Sequence, residues 1–166
     1  FLFSAPQGVA AHLASIPSNG GLEALRWACE QGCPMNASTC WHAAKAGNLA
    51  TLQWLRGKIG CPWDAAVCNE AAAAGKLDVL RWARSQGCPW DADCCQAAAS
   101  GGHLAVLQWA RSEGCDWDET TCQYAAVNGH LCVLQWALAN ACPWDKTACS
   151  WNVSEEVATW VNHQDA

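Results

Sequence analysis

Cysteine is the residue of this sequence whose type and spacing offer the most chemistry. Ten of the 13 cysteines form two series, and each cysteine of the second series follows one of the first after seven residues. The first series is Cys33, Cys61, Cys88, Cys115 and Cys142, and the second is Cys40, Cys68, Cys95, Cys122 and Cys149. Thiols spaced in this way can form disulfides, bind zinc or pack as small apolar side chains.

The spacing favours buried free thiols. Common zinc sites use a Cys-x₂-Cys spacing, and no histidine recurs at a suitable offset. Disulfide frameworks suit small secreted domains that lack a core, whereas 52% of these residues are apolar. We therefore expect both series in the core and no metal site. Outside the series lie Cys29, Cys94 and Cys132, of which Cys94 or Cys132 is expected to be exposed. The alternative is a thiol-based function, either redox sensing or metal storage.

Tryptophan also occurs in two series. One is Trp63, Trp90, Trp117 and Trp144, and the other is Trp27, Trp54, Trp82, Trp109 and Trp136. A column with one ring per repeat is typical of structural packing, so we expect each ring to pack against the repeats above and below it. The alternative is a ring platform that binds a carbohydrate or a pigment.

No motif of a common enzyme class occurs. The sequence lacks G-x-S-x-G, H-E-x-x-H, the P-loop and G-x-G-x-x-G. The aspartate series Asp64, Asp91, Asp118 and Asp145 lacks a second oxygen ligand at the spacing of a calcium loop, and helix capping accounts for it. The histidines that follow a glycine, His103 and His130, are expected to brace a turn. We therefore predict a non-enzymatic protein without catalytic residues, metal or cofactor.

These series arise from an internal repeat of 27 residues. The stretches that begin at Cys61, Cys88 and Cys115 align without gaps, and the stretch that begins at Cys33 has one extra residue around Ile59. We predict a single solenoid domain over residues 1–166. Its repeats are about 6–32 (N-terminal cap), 33–60, 61–87, 88–114, 115–141 and 142–166 (C-terminal cap). Atypical terminal repeats are characteristic of capped solenoids.

Each repeat has the signals of two helices. Counted from its first cysteine, position 4 is Asp or Asn, which are preferred N-cap residues. A first helix is predicted over positions 5–14, because Cys at position 8 and Ala at positions 11 and 12 lie on one face of it. Glycine follows at position 15, where helices commonly end. A second helix is predicted over positions 17–25, closed by glycine at position 27. Helices of about ten residues are marginal alone, so stacked hairpins must bury their apolar faces. The predicted fold is an all-α solenoid.

This repeat resembles the ankyrin repeat. The stretch from Thr120 through Leu131 is similar to the family signature T-P-L-H-x-A-A-x-x-G-H-L, and Gly102-His103-Leu104 repeats its ending. The repeat is about six residues shorter than the family's, and the Pro and His of T-P-L-H are absent from most repeats. The resemblance implies stacked helix–turn–helix hairpins with the protruding β-finger replaced by a short turn. It also implies protein binding on the concave face formed by the first helices.

The variable positions of the first helix predict the partner-binding face. Position 10 lies opposite the cysteine at position 8 on a helical wheel, and the variable position 9 precedes it. Their side chains include rings beside polar amides, which is typical of contact surfaces. The predicted partner-binding residues are Trp41, His42, Asn69, Glu70, Gln96, Gln123, Tyr124 and Trp151. The alternative is that position-10 side chains lean against the neighbouring repeat.

Charge and hydropathy narrow the predicted partners. The net charge is −6, with 9 Lys and Arg against 15 Asp and Glu, so we expect a protein partner and no nucleic acid. No apolar run is long enough to span a membrane. The start at Phe1 indicates a processed or partial chain, and many unpaired thiols favour a reducing intracellular compartment, the cytoplasm or an organelle. The leading hypothesis is a protein-interaction scaffold, and the alternative is a fixed structural subunit of a larger complex.

Overall fold

Helices account for all the regular structure in the described part of the chain. The computed structural model describes residues 9–16, 19–145, 153 and 155–163, and these contain no β-strand. The α-helices are α1 (Val9–Ala14), α2 (Asn19–Glu30), α3 (Ala37–Ala46), α4 (Leu49–Trp54), α5 (Ala65–Ala73), α6 (Leu77–Ser85), α7 (Ala92–Ser100), α8 (Leu104–Ser112), α9 (Glu119–Val127), α10 (Leu131–Ala139) and α11 (Glu155–His163). A π-helix, Leu55–Ile59, follows α4. The predicted all-α fold is confirmed.

The chain forms two compact units, residues 1–89 and 90–166. In the first unit, consecutive helices pair as hairpins, and α1, α3 and α5 pack side by side. In the second unit, α7 pairs with α8 and α9 with α10, and α7 packs against α9. We call α1, α3, α5, α7 and α9 the A helices, and α2, α4, α6, α8 and α10 the B helices. A single solenoid through residues 1–166 stays a prediction.

Capping residues begin and end the A helices at the predicted positions. The side chains of Asn36, Asp64 and Asp118 each accept a hydrogen bond from a backbone N–H in the first turn, whereas that of Asp91 accepts none. Just after the helix, Gly47, Gly75, Gly102 and Gly129 all have positive φ. Positive φ costs glycine little, so this residue allows the sharp turn into the B helix.

Small side chains bring neighbouring A helices close together. An Ala-Ala pair in each of α3, α5, α7 and α9 is fully buried. Each B helix contributes a fully buried leucine: Leu25, Leu52, Leu80, Leu107 and Leu134. Alanine between the A helices and leucine beneath them give a core in which burial of apolar surface offsets the weak intrinsic stability of nine-residue helices.

The π-helix accommodates the extra residue of repeat 33–60. The backbone N–H of Cys88 donates to the carbonyl of Ala83, five residues earlier. The equivalent bond joins Cys61 to Leu55, six residues earlier, at 3.0 Å. The widened turn between Leu55 and Gly60 therefore brings Cys61 to the same bonding position as its counterpart. The sequence located the insertion correctly, around Ile59.

Candidate binding face of the A helices

Trp41 and His42 form a paired ring surface on α3. Their ring centroids are 3.8 Å apart, with an angle of 20° between the ring planes. The Nδ1 atom of His42 lies 2.7 Å from the carbonyl oxygen of Ser38, so this contact fixes the ring against its own helix. Both rings are half-buried. The two stacked rings are the aromatic part of the predicted face in repeat 33–60.

Glu70 on α5 is tied to the preceding A helix. Its Oε2 atom lies 3.0 Å from the Nζ atom of Lys45 on α3, and both side chains are partly exposed. This ion pair joins adjacent repeats, as expected if position-10 side chains lean against their neighbour. The adjacent Asn69 is half-buried, and its Oδ1 atom is buried without a hydrogen-bond partner in the described structure.

In the second unit, the Gln96 side chain bonds to a neighbouring repeat, whereas the Tyr124 side chain is exposed. The Oε1 atom of Gln96 accepts a hydrogen bond from the Thr120 hydroxyl at 3.1 Å, which links α7 to the start of α9. Gln123 is half-buried. Tyr124 is 41% exposed, the largest exposure among the predicted face residues that the structure describes. Trp151 lies outside the described residues.

The predicted face therefore combines contacts between repeats with one exposed ring. Sequence analysis missed Lys45 and Thr120, which bind predicted face residues from neighbouring repeats. Their signal was present, because ion pairs and hydrogen bonds between stacked helices need complementary side chains about one repeat apart. The arrangement suits recognition through side chains, and whether this face binds a partner stays a prediction.

The tryptophans form pairs on the other side of the hairpins. Trp63 lies against Trp82, Trp90 against Trp109 and Trp117 against Trp136, each with ring centroids 5.8 Å apart and interplanar angles of 61–67°. Each pair joins the two tryptophans of one repeat, a contact that sequence analysis did not predict. In an edge-to-face pair the edge of one ring covers the face of the other, so these six paired rings do not form a row of parallel faces on which a sugar or pigment would stack.

Arginine side chains connect Trp63 and Trp117 to the preceding repeat, which agrees with the expectation that these rings pack against a neighbouring repeat. The guanidinium carbon of Arg56 lies 4.6 Å from the ring centre of Trp63, and that of Arg111 lies 4.2 Å from Trp117. Arg56 also donates to the carbonyl of Cys61 at 3.3 Å, and Arg111 donates to that of Cys115. Sequence analysis missed this role, although its signal was an arginine shortly before the Cys-Pro-Trp or Cys-Asp-Trp turn, five residues before Cys61 and four before Cys115.

The two cysteine series are buried as predicted wherever the structure describes them, except for the half-buried Cys33. Cys94 is also buried and Cys132 is exposed, which agrees with one of the two alternatives for these residues. No cysteine in the described ranges is in a disulfide. Buried thiols fit closely packed helices because sulfur occupies little more space than a methyl group.

Metal-binding clusters and membrane-spanning helices are both absent from the described residues. Residues 9–16, 19–145, 153 and 155–163 hold no group of three or more His, Cys, Asp or Glu side chains placed to bind a metal ion. Within the same ranges, no helix is both long and apolar enough to cross a membrane.

Comparisons with known proteins identify the fold and no family. No family model matches the sequence, and no curated protein matches it. The structure is similar to the crystal structure of the pentatricopeptide repeat protein PPR10 in complex with an 18-nt psaJ RNA element, with a TM-score of 0.51 and 15% identity. A variant of PPR10 with cysteines replaced by serine, in complex with the same RNA element, matches equally well. The match covers 95% of this chain and 28% of the matched chain.

This similarity confirms a helical repeat solenoid fold, and the ankyrin family in particular is not confirmed. It also contradicts the expectation that nucleic acid is excluded as a partner, since the matched protein is in complex with RNA. That expectation rested on whole-chain charge. Total charge does not report the side chains on one face, and single-stranded RNA is recognised largely by stacking and base-edge hydrogen bonds.

Proposed function

We propose that this chain is a non-enzymatic binding module whose A-helix face holds an extended protein segment. The observation that carries the proposal is the contrast between constant and variable positions. The buried Ala, Leu and Cys positions recur in the four repeats between residues 33 and 141, while positions 9 and 10 of the A helices differ. Side chains that vary on a constant scaffold are free to specify a partner.

The local chemistry of the face supports a peptide as its ligand. Tyr124 is an exposed ring, and Gln96 and Gln123 supply amides that can bond a peptide backbone. Each unit has a small residue at the end of an A helix, Ala73 in the first unit and Ser100 in the second, and small side chains let another backbone approach closely. Tyrosine contributes much of the binding energy in many interfaces because its ring is large and loses little entropy.

A second candidate ligand is single-stranded RNA, which the likeness to an RNA-bound repeat protein favours. Helical repeats of that kind can read one base per repeat through two or three side chains. Positions 9 and 10 give one pair of side chains per repeat here, such as Trp41 with His42 and Gln123 with Tyr124. Rings can stack on bases, and amides can bond base edges.

A selection experiment compares the two ligands. The full chain is screened against a library of random peptides and against a pool of random single-stranded RNA, and the affinities of the enriched ligands are measured. For a ligand held by the A-helix face, Tyr124→Ala weakens binding by about tenfold or more. The matched control is Gln135→Ala on the exposed side of α10, which leaves affinity unchanged.

Each outcome decides between the candidates. Peptide ligands that are sensitive to Tyr124→Ala support the proposal, and RNA ligands with the same sensitivity favour the second candidate. Ligands equally affected by both substitutions, or by neither, contradict the assignment to this face. Failure to enrich any peptide or RNA contradicts the binding module itself.

A further inference from the structure

The two cysteine series meet as pairs of adjacent thiols. The first cysteine of a repeat lies in hydrogen-bond contact with the second cysteine of the repeat before it. We call these contacts the thiol pairs: Cys40 with Cys61, Cys68 with Cys88, Cys95 with Cys115, and Cys122 with Cys142. Each pair lies inside one compact unit and joins neighbouring repeats. All eight thiols are buried, and none of them is in a disulfide.

A second hydrogen bond orients each pair. The Sγ atom of the repeat's first cysteine also donates to the carbonyl oxygen of the helix-capping residue one repeat earlier. These distances are 3.2 Å for Cys61 to Asn36, 3.4 Å for Cys88 to Asp64, 3.2 Å for Cys115 to Asp91 and 3.4 Å for Cys142 to Asp118. In all four pairs the first cysteine gives its thiol hydrogen to this carbonyl oxygen. Its sulfur is therefore the acceptor in the hydrogen bond between the two thiols, and the second cysteine is the donor.

The two thiols of a pair differ in acidity. The hydrogen bond donated by Cys40 lowers the pKa of Cys61, and the guanidinium of Arg56 lowers it further against the opposing effect of burial. Cys68 and Arg84 lower the pKa of Cys88 in the same way. Donating the bond raises the pKa of Cys40. A thiolate is the nucleophilic form of cysteine, so the first cysteine is the more reactive member.

Packing alone does not require two thiols in contact. Fully buried alanines fill comparable sites between the A helices. In the N-terminal repeat, Leu13 stands where the others have their second cysteine, and the following Cys33 is only half-buried. An alkyl side chain therefore serves at this position, while a second sulfur adds the ability to form a bond.

We propose that the thiol pairs are oxidation sites, at which a peroxide converts two adjacent thiols into a disulfide that links neighbouring repeats. The thiolate of Cys61 attacks hydrogen peroxide, takes one oxygen and, with one proton consumed, releases one water as it becomes a sulfenic acid. The Cys40 thiol then attacks that sulfur, the S–S bond forms, and the second oxygen leaves as water. In total, two thiols and one peroxide give one disulfide and two waters.

Access sets the order in which the pairs react. Cys142 is 5% exposed, whereas the other members of the pairs are 0–1% exposed. We therefore expect Cys122–Cys142 to oxidise first and the other pairs to follow as the stack opens transiently. A disulfide between residues about 20 positions apart restricts the unfolded chain, so oxidation raises the melting temperature by about 5 °C or more.

The test uses the folded full chain and hydrogen peroxide. After increasing exposure, remaining thiols are alkylated in denaturant, and digested peptides are identified by mass spectrometry. The expected products are peptides joined Cys122–Cys142, then those of the other three pairs, each lacking two hydrogen atoms relative to the reduced peptides. Reductant restores the free thiols and the original melting temperature.

Two variants make the result specific. Cys142→Ala abolishes the Cys122–Cys142 link and leaves the other three, while Cys132→Ala, which removes an exposed thiol outside the pairs, leaves all four. Circular dichroism checks that both variants retain the parent's helix content. Links mainly through Cys132, links between chains, or sulfinic acid without links would overturn the proposal. So would paired links accompanied by a lower melting temperature.

Discussion

The A-helix face and the tryptophan side of the hairpins differ in how regular their contacts are. On the tryptophan side, the same edge-to-face pair recurs at 5.8 Å in three repeats. On the A-helix face, each repeat makes a different contact: a ring stack at Trp41, an ion pair at Glu70 and a hydrogen bond at Gln96. The recurring tryptophan contact stabilises each of these repeats in the same way. The contacts on the A-helix face differ from repeat to repeat, and yet each repeat forms the same helical hairpin. Sequence variation is therefore tolerated on the A-helix face.

The largest expected effect comes from the constant core. Leu107 is fully buried in α8, and we expect Leu107→Ala to lower the free energy of unfolding by about 3 kcal/mol, since it removes apolar contacts and leaves a cavity. The comparison is with Tyr124→Ala on the A-helix face, which we expect to cost less than about 1 kcal/mol. Urea unfolding followed by circular dichroism measures both. Equal losses would show that the A-helix face carries as much stability as the core.

Trp136 and Trp27 occupy the same repeat position, but Trp136 contacts another ring whereas Trp27 is exposed. Comparing them shows whether the ring contact or the residue type contributes to stability. Trp136→Ala removes the partner of Trp117, and we expect it to cost about 2 kcal/mol in unfolding free energy. Trp27 is 64% exposed, so Trp27→Ala should change it by less than about 0.5 kcal/mol. The same unfolding experiment compares them. A similar cost for both would mean that the ring pair adds nothing to stability.

The ends of the B helices provide substitutions of opposite sign. Gly114 has φ +81° with no atom near an added Cβ, so Gly114→Ala adds backbone strain without a clash and should cost about 1 kcal/mol. Ala141 occupies the corresponding position with φ 61°, and Ala141→Gly should stabilise the chain by a similar amount. Thermal unfolding gives the sign of each change. A loss of stability in Ala141→Gly would show that its methyl group makes contacts worth more than the strain.

The smallest expected effect concerns the helix caps. Asp118 accepts a hydrogen bond from the backbone N–H of Thr120 at 3.0 Å, and Asp118→Ala should cost about 0.5–1 kcal/mol. Asp91 begins α7 without such a bond, so Asp91→Ala should cost less. Unfolding free energies of the two variants test whether the shared aspartate stabilises each repeat equally. A larger loss for Asp91→Ala would contradict the cap assignment.

Local structure was predictable from the sequence because its signals are local. Glycine and aspartate placed the bounds of α5 and α6 within a residue of where the structure has them. Contacts between repeats were not predictable in this way. The contact of Lys45 with Glu70, or of Cys40 with Cys61, depends on how far one hairpin is offset from the next. The partner class could not be inferred from composition for a related reason. Net charge sums over all faces, while a ligand meets only one.

The π-helix at Leu55–Ile59 confines a change of chain length to a single turn. Downstream of it, Cys61, Trp63 and Asp64 make the same kinds of contact as their counterparts in repeats of regular length. An inserted residue at this point therefore needs no compensating deletion elsewhere. The end of a B helix is thus a place where this architecture can gain residues in evolution or in design while the register of the following repeat is preserved.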